Sequence, residues 1–377
     1  MNKERFFGKN IGKLGYGNMR LPKADGKVDY VTIHKMVDTF MEAGYSYFDT
    51  CYTYEASERA LGEALVPRYP RDSYELTTKL TMIPVNSVDD MQKQFDESRR
   101  RLGLDYVDFY FLHSLNAHYI EKAERLDAWG FVQRLKEKGD AKHIGFSFHD
   151  TPELLDDTLT KHPETELVLL QINYLDWENP EVQSRRLYET ARKHNVPVSI
   201  MEPCKGGWLA SELSESGKFL KAANPEASVA SWAFRFLADL EGVVAILTGM
   251  GALSEVEDNV ETFRDLKPLS EEERKLVQKA VEILSVDPSI PCTDCLYCVK
   301  QCPNGVAIAH SLKHYNGYLL YKDLGALKHM HYMMGMSGAK PKNCTKCGAC
   351  EKVCPQHLKI SDYMAIIAEL VGEEIYS

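Results

Sequence analysis

The chain lacks any uncharged apolar run near the ~20 residues that a membrane-spanning helix needs, so no membrane partner is expected. Positive charge is in deficit. The 45 Lys and Arg against 55 Asp and Glu leave a net charge of −10, which argues against nucleic acid as a partner. Nothing in Met1–Lys13 reads as an export signal, and no low-complexity tract interrupts the chain. A glycine fingerprint G-x-G-x-x-G is also missing after the first strand candidate, where Gly15-Tyr16-Gly17-Asn18-Met19 stands instead. That disfavours a doubly wound dinucleotide-binding sheet. With 377 residues, 44% of them hydrophobic, the chain can bury the core of one large domain and still carry a small module beside it.

Cysteine is present and concentrated. Eight of the ten fall into two copies of C-x2-C-x2-C-x3-C-P: Cys292, Cys295, Cys298, Cys302-Pro303, and Cys344, Cys347, Cys350, Cys354-Pro355. This is the spacing of two-cluster 4Fe–4S ferredoxins, in which three close thiolates reach one cluster and the fourth reaches the other. Cys292, Cys295 and Cys298 are therefore paired with Cys354, and Cys344, Cys347 and Cys350 with Cys302. Zinc and disulfides are the weaker readings, because zinc sites tend to bring ligands two and two and disulfides belong to short secreted chains. Two 4Fe–4S clusters are expected, and with them a cytoplasmic location.

From about residue 10 to 265, short apolar runs alternate with amphipathic stretches. Strands are expected at Lys13–Gly17, Tyr45–Thr50, Tyr74–Lys79, Val107–His113, His143–Ser147, Leu167–Ile172, Val196–Met201 and Val243–Leu247. Helical patterns lie between them, as at Val31–Ala43, Met91–Leu102 and Pro180–His194. Eight such units in about 250 residues fit a (β/α)8 TIM barrel. The expected division is a barrel over 1–268, a connecting helix or linker over 269–288, and a mainly helical ferredoxin-type domain over 289–377.

Barrel active sites gather where strands end. The second, third and fourth strand candidates end at Asp49, Lys79 and His113, with Tyr54 just after the second. An acid, a phenol, an amine and an imidazole together suit protonation of a carbonyl oxygen. A free tyrosine has a pKa of about 10, and a neighbouring ammonium stabilises its phenolate. Asp49 would keep Lys79 charged and oriented, and His113 would hydrogen-bond the substrate oxygen. Singly, each has an ordinary structural reading; the set at successive strand ends points to catalysis.

These segments, with Gly15–Pro22, Tyr54-Glu55, Asp108–His113 and Ile144–Ser147, resemble the aldo-keto reductases over residues 10–265. With its tail, the chain resembles the bacterial and archaeal members that carry a C-terminal 4Fe–4S domain. The resemblance implies NAD(P)H-dependent reduction of an aldehyde or ketone, with Asp49, Tyr54, Lys79 and His113 as the catalytic tetrad and Tyr54 as general acid. It implies that Ser147 and Gln171 hold the nicotinamide carboxamide and Asn259 the adenine. Gly206, Gly207, Gly249 and Gly251 stand where a barrel binds phosphate, or serve only as turns. Met201 stands where a stacking ring is common, and Phe148 where Asn is common. Glu255 lies where a cation would meet a 2′-phosphate, which leaves NADPH and NADH both open. The clusters would transfer electrons, dock a redox partner protein or brace the fold. The alternative function is an electron-transfer protein whose barrel is not a simple carbonyl reductase, working with a partner or a flavin. Cys51 and Cys204 read as small buried thiols, Trp208 as cleft or core, and His310, His314, His329 and His331 as surface.

Overall fold

The computed structural model describes residues 7–9, 11–54, 56–335 and 339–372. Residues 1–6, read above for an export signal, and Glu55 of the tyrosine motif lie outside them. Among the described residues, ten strands occur. They are β1 (Leu14–Gly17), β2 (Lys23–Ala24), β3 (Lys27–Val28), β4 (Tyr47–Asp49), β5 (Glu75–Thr81), β6 (Val107–Leu115), β7 (Ala141–Phe148), β8 (Leu167–Gln171), β9 (Val198–Met201) and β10 (Val243–Gly249). The short β2–β3 hairpin stands apart, and the other eight close into a parallel barrel in chain order, β10 pairing back onto β1. All eight expected strands are present.

Strand parity explains where the side chains go. Successive residues of a strand face opposite sides. Tyr47, Phe109, Phe111, Leu167, Leu169, Ala245 and Leu247 fill the lumen, while Phe48, Tyr110, Leu112, Val168, Leu170 and Ile246 pack outward under the helices. Continuing each inward series by one step of two reaches Asp49, His113, Gln171 and Gly249. On β5, Thr77 faces inward to the Tyr47 hydroxyl (2.7 Å), and the next inward residue is Lys79.

The helices lie outside the barrel. Pro180–His194 was expected as one helix, but the helix begins at Ser184: the Asn179 side chain accepts from the Glu181 and Val182 amides and fixes a turn first. The expected connector, Glu271–Ser285, opens with a Ser270/Glu273 capping box. It packs Val277, Ala280 and Leu284 with Leu220 and Trp232, so it lies on the barrel.

The tail is helical, with Tyr297–Gln301, Ile308–Tyr321, Leu324–Gly335 and Ile360–Val371. Its small core joins Ile290, Val306, Ile308, Leu312, Ile360, Met364 and Ile367 to Cys298 and Cys350. His331 is buried, contrary to the surface reading, while His310 and His329 are exposed.

Candidate active site

The tetrad residues converge at the C-terminal mouth of the barrel. Lys79, fully buried, donates to Asp49 Oδ1 (2.6 Å) and to the Thr50 carbonyl (2.7 Å). Asp49 Oδ2 has no hydrogen-bond partner among the described residues and is left for a donor in the cavity. Burial raises the Asp49 carboxyl, with the Lys79 charge opposing it. The Lys79 ammonium lies 5.0 Å from the Tyr54 ring centroid, and the Tyr54 and His113 rings meet edge to face at 5.7 Å.

Sequence reasoning expected Lys79 to lower the Tyr54 pKa. In this arrangement the phenol is held well above its ordinary value, by burial first and then by Tyr297, Cys51 and Asp49. The Lys79 charge, already turned to Asp49 and Thr50, does not outweigh them.

His113 is held well below the usual imidazole range by burial and by Lys79, so it is neutral. Cys51 Sγ lies 3.2 Å from its Nδ1. Burial pushes that thiol up to about 11, so Cys51 keeps its proton, and the S–H has His113 Nδ1, Thr53 Oγ1 (3.3 Å) and the Lys79 carbonyl (4.0 Å) within reach. With the thiol donating to Nδ1, Nε2 carries the ring proton and donates into the site.

The donor at Nε2 meets the tail. The Tyr297 hydroxyl, between Cys295 and Cys298, lies 3.0 Å from His113 Nε2 and is also hydrogen-bonded to Tyr54. A second insertion follows Cys354: Gln356 donates to Gln171 Oε1 (2.9 Å), and Gln171 Nε2 donates back to Gln356 Oε1 (3.1 Å). Lys205, paired with Asp176, also donates to Gln356 Oε1 (2.9 Å). Arg20 donates to the Thr293 carbonyl, and a Cβ on Gly206 (φ +67°) would fall 2.7 Å from Thr293 Cα.

A cavity of about 90 Å³ remains over the tetrad. Asp49, Tyr54, His113, Ser147, Gln171 and Met201 line it from the barrel, and Thr293, Cys295, Tyr297 and Gln356 from the tail. Ser147 Oγ accepts from the Ser114 amide (2.7 Å), keeping its own O–H as a donor. Beside it runs a groove of about 460 Å³ past Gly206, Gly207, Gly249 and Gly251 to Asn259. Among the described residues that line it, Arg20 is the one cation, against Glu202, Glu212, Glu255 and Asp258. Glu255 accepts from the Gly251 amide (2.7 Å). The groove and the cavity share Arg20, Glu202, Leu247 and Gly249, and tail side chains stand at the end where the two meet.

The chain belongs to the aldo/keto reductase family. Its family model matches residues 13–282, and a 4Fe–4S dicluster domain matches 291–358. Among similar proteins is the 9,11-endoperoxide prostaglandin H2 reductase of Trypanosoma cruzi, 29% identical over 64% of this chain and 80% of that protein. The L-galactose dehydrogenase of Arabidopsis thaliana is 24% identical over 71% and 89%. Among solved structures, an aldo-keto reductase from Klebsiella pneumoniae in complex with NADPH superposes with TM-score 0.59 at 19% identity, over 74% of this chain and 95% of that one. The holo form of one from Bacillus halodurans gives 0.59 at 22%, over 74% and 94%. At these identities, the structures establish the shared barrel fold.

In this aldo/keto reductase the dicluster cysteines gather in the crossed sets. Cys302 lines one cavity with Cys344, Cys347 and Cys350. Burial raises the Cys292, Cys295 and Cys298 thiols, and Cys354 is among the neighbouring groups that add to it. None of the ten cysteines forms a disulfide. Left-handed residues at Asp294, Leu296, Gly305, Lys346, Gly348 and His357 curl the loops. Their curvature turns amides toward sulfur, as in Lys346 N–H to Cys344 and Val306 N–H to Cys302, both 3.4 Å. Four gathered thiols, amide donors and an apolar shell fit a cubane cluster in each place.

Tyr297, Gln356 and the tautomer-setting Cys51 are the residues that sequence reasoning missed. One signal was available for the first: Tyr297 is a large aromatic between two cysteines committed to the cluster, Cys295 and Cys298.

Proposed function

We propose that this aldo/keto reductase reduces an aldehyde or ketone to an alcohol with NADPH or NADH, at the site built on Asp49, Tyr54, Lys79 and His113. The observation that carries the reading is that Tyr54 and His113 both bond a single oxygen, that of Tyr297, in the place a carbonyl oxygen would take. When bound, the nicotinamide would supply a hydride and the clusters single electrons.

The residues supply the rest. Tyr54 gives its proton to the carbonyl oxygen, while His113 Nε2–H holds that oxygen in line. Lys79, fixed by Asp49, stabilises the phenolate that Tyr54 becomes. Ser147 and Gln171 hold the carboxamide, the glycines at 206, 207 and 249 admit the phosphates, and Asn259 meets the adenine. Cys292, Cys295, Cys298 and Cys354 would hold the cluster next to the tetrad, and Cys302, Cys344, Cys347 and Cys350 the distal one. Anaerobic turnover with nicotinamide deuterated at C4 tests the reading. Deuterium on the carbinol carbon is expected, and unlabelled alcohol would overturn it.

A second reading has its own observation. Cys295 lines the tetrad cavity, while Cys347 of the other set is exposed with Thr345 and Lys346. One cluster would touch the reacting centre and the other the surface, where a redox partner protein could meet it. Loss of cluster absorbance on adding NADH or NADPH without a carbonyl would support electron exchange; an unchanged spectrum would exclude it.

A further inference from the structure

The two tail side chains in the barrel mouth resemble what a reductase would bind there. Tyr297 offers an oxygen to Tyr54 and His113 Nε2, as a carbonyl would. Gln356 offers a carboxamide to Gln171, the group a nicotinamide carries, in reciprocal bonds of 2.9 and 3.1 Å. Tyr297 lies between Cys295 and Cys298, and Gln356 lies two residues past Cys354, so both ride on loops of one cluster set. The same loops press Thr293 onto Gly206 and anchor its carbonyl to Arg20.

Size decides whether these side chains assist a bound pair or replace it. Ligand pockets hold on the order of 300–1,000 Å³. The cavity left beneath the tail is about 90 Å³. A nicotinamide ring and a carbonyl compound do not share that space while Tyr297 and Gln356 remain. His113 and Tyr297 also line a second, smaller cavity with Met82, Ile83 and Tyr119. Withdrawal of Tyr297 would join the two and open a path to the tetrad.

We propose that Tyr297 and Gln356 form an internal mimic of the carbonyl and nicotinamide pair, so that the loops of the tetrad-facing cluster must withdraw before substrate and cofactor bind. The inference rests on the nicotinamide-dependent reading above. Docking and nicotinamide binding then compete, and apparent affinity falls by the fraction of molecules with the loops withdrawn. Linkage makes the effect mutual: a bound nicotinamide changes the surroundings of the cluster held by those loops.

The test is calorimetric titration of NADP+ and NAD+ into cluster-loaded, full-length protein under anaerobic conditions. Cluster content is checked by visible absorbance. Gln356→Ala removes the carboxamide, and Tyr297→Phe keeps the ring while removing the shared oxygen. Each variant is expected to bind nicotinamide about tenfold more tightly than wild type, and one that loads its clusters suffices if the other does not. Equal or weaker affinity in the loaded variants would overturn the mimic and leave the reductase reading standing. No binding by wild type or variants would overturn the nicotinamide reading and the mimic with it.

Discussion

His113 Nε2 and the Tyr297 hydroxyl lie 3.0 Å apart, joining the end of a barrel strand to a loop between two cluster cysteines. The iron–sulfur domain is therefore not an appendage on a tether. It reaches into the mouth of the barrel and touches the residues that would protonate a substrate.

Lys79→Met should unfold the protein more easily as well as silence it. Asp49 would be left charged and buried without its partner, a loss of about 3–5 kcal/mol for a broken buried pair. Denaturant unfolding of Lys79→Met beside the double variant Lys79→Met/Asp49→Asn checks this, and the double change should cost less because it removes both charges of the pair.

Cys51→Ala should lower turnover about tenfold or more, by leaving His113 Nδ1 buried without its donor and freeing the ring to adopt the wrong tautomer. Cys51→Ser restores an O–H donor and should recover most of the loss. Equal rates for the alanine and serine variants would show that the thiol does not set the tautomer.

The depressed His113 pKa has a defined pH consequence. A histidine kept neutral in the fold contributes stability above its unfolded pKa of about 6.5, and that contribution is lost as pH falls below it toward the folded value. Thermal melts of the cluster-loaded protein should show this loss on acidification, and His113→Gln should flatten it.

The crossed cysteine sets predict separable cluster losses. Cys302→Ala should disturb the set that contains exposed Cys347, and Cys354→Ala the set that faces the tetrad. Each variant should fall from about eight iron atoms per chain toward about four. Only Cys354→Ala should alter nicotinamide binding. The opposite assignment would show that Cys302 serves its own triplet.

Much of this site was legible in the chain because strand parity and strand ends are local properties. Asp49 and His113 each follow an inward residue by two, and Lys79 follows Thr77 in the same way. The cysteine spacing is equally local. Tyr297 and Gln356 were hidden, because no periodicity tells which loop of one domain will enter the mouth of another. Cys51 was set aside as a small buried thiol; it is buried, but its position against Nδ1 depends on a distant strand. The balance at Tyr54 is hidden for a related reason, since composition cannot show that burial and tail contacts outweigh one ammonium already paired.

The most direct test of the account is anaerobic carbonyl reduction by cluster-loaded wild type and Tyr54→Phe, across a panel of aldehydes and ketones with NADH and NADPH. Nicotinamide consumption should depend on a carbonyl, and kcat/KM should fall about 10²–10⁴-fold for Tyr54→Phe with nicotinamide affinity retained. Undiminished reduction by Tyr54→Phe would contradict it.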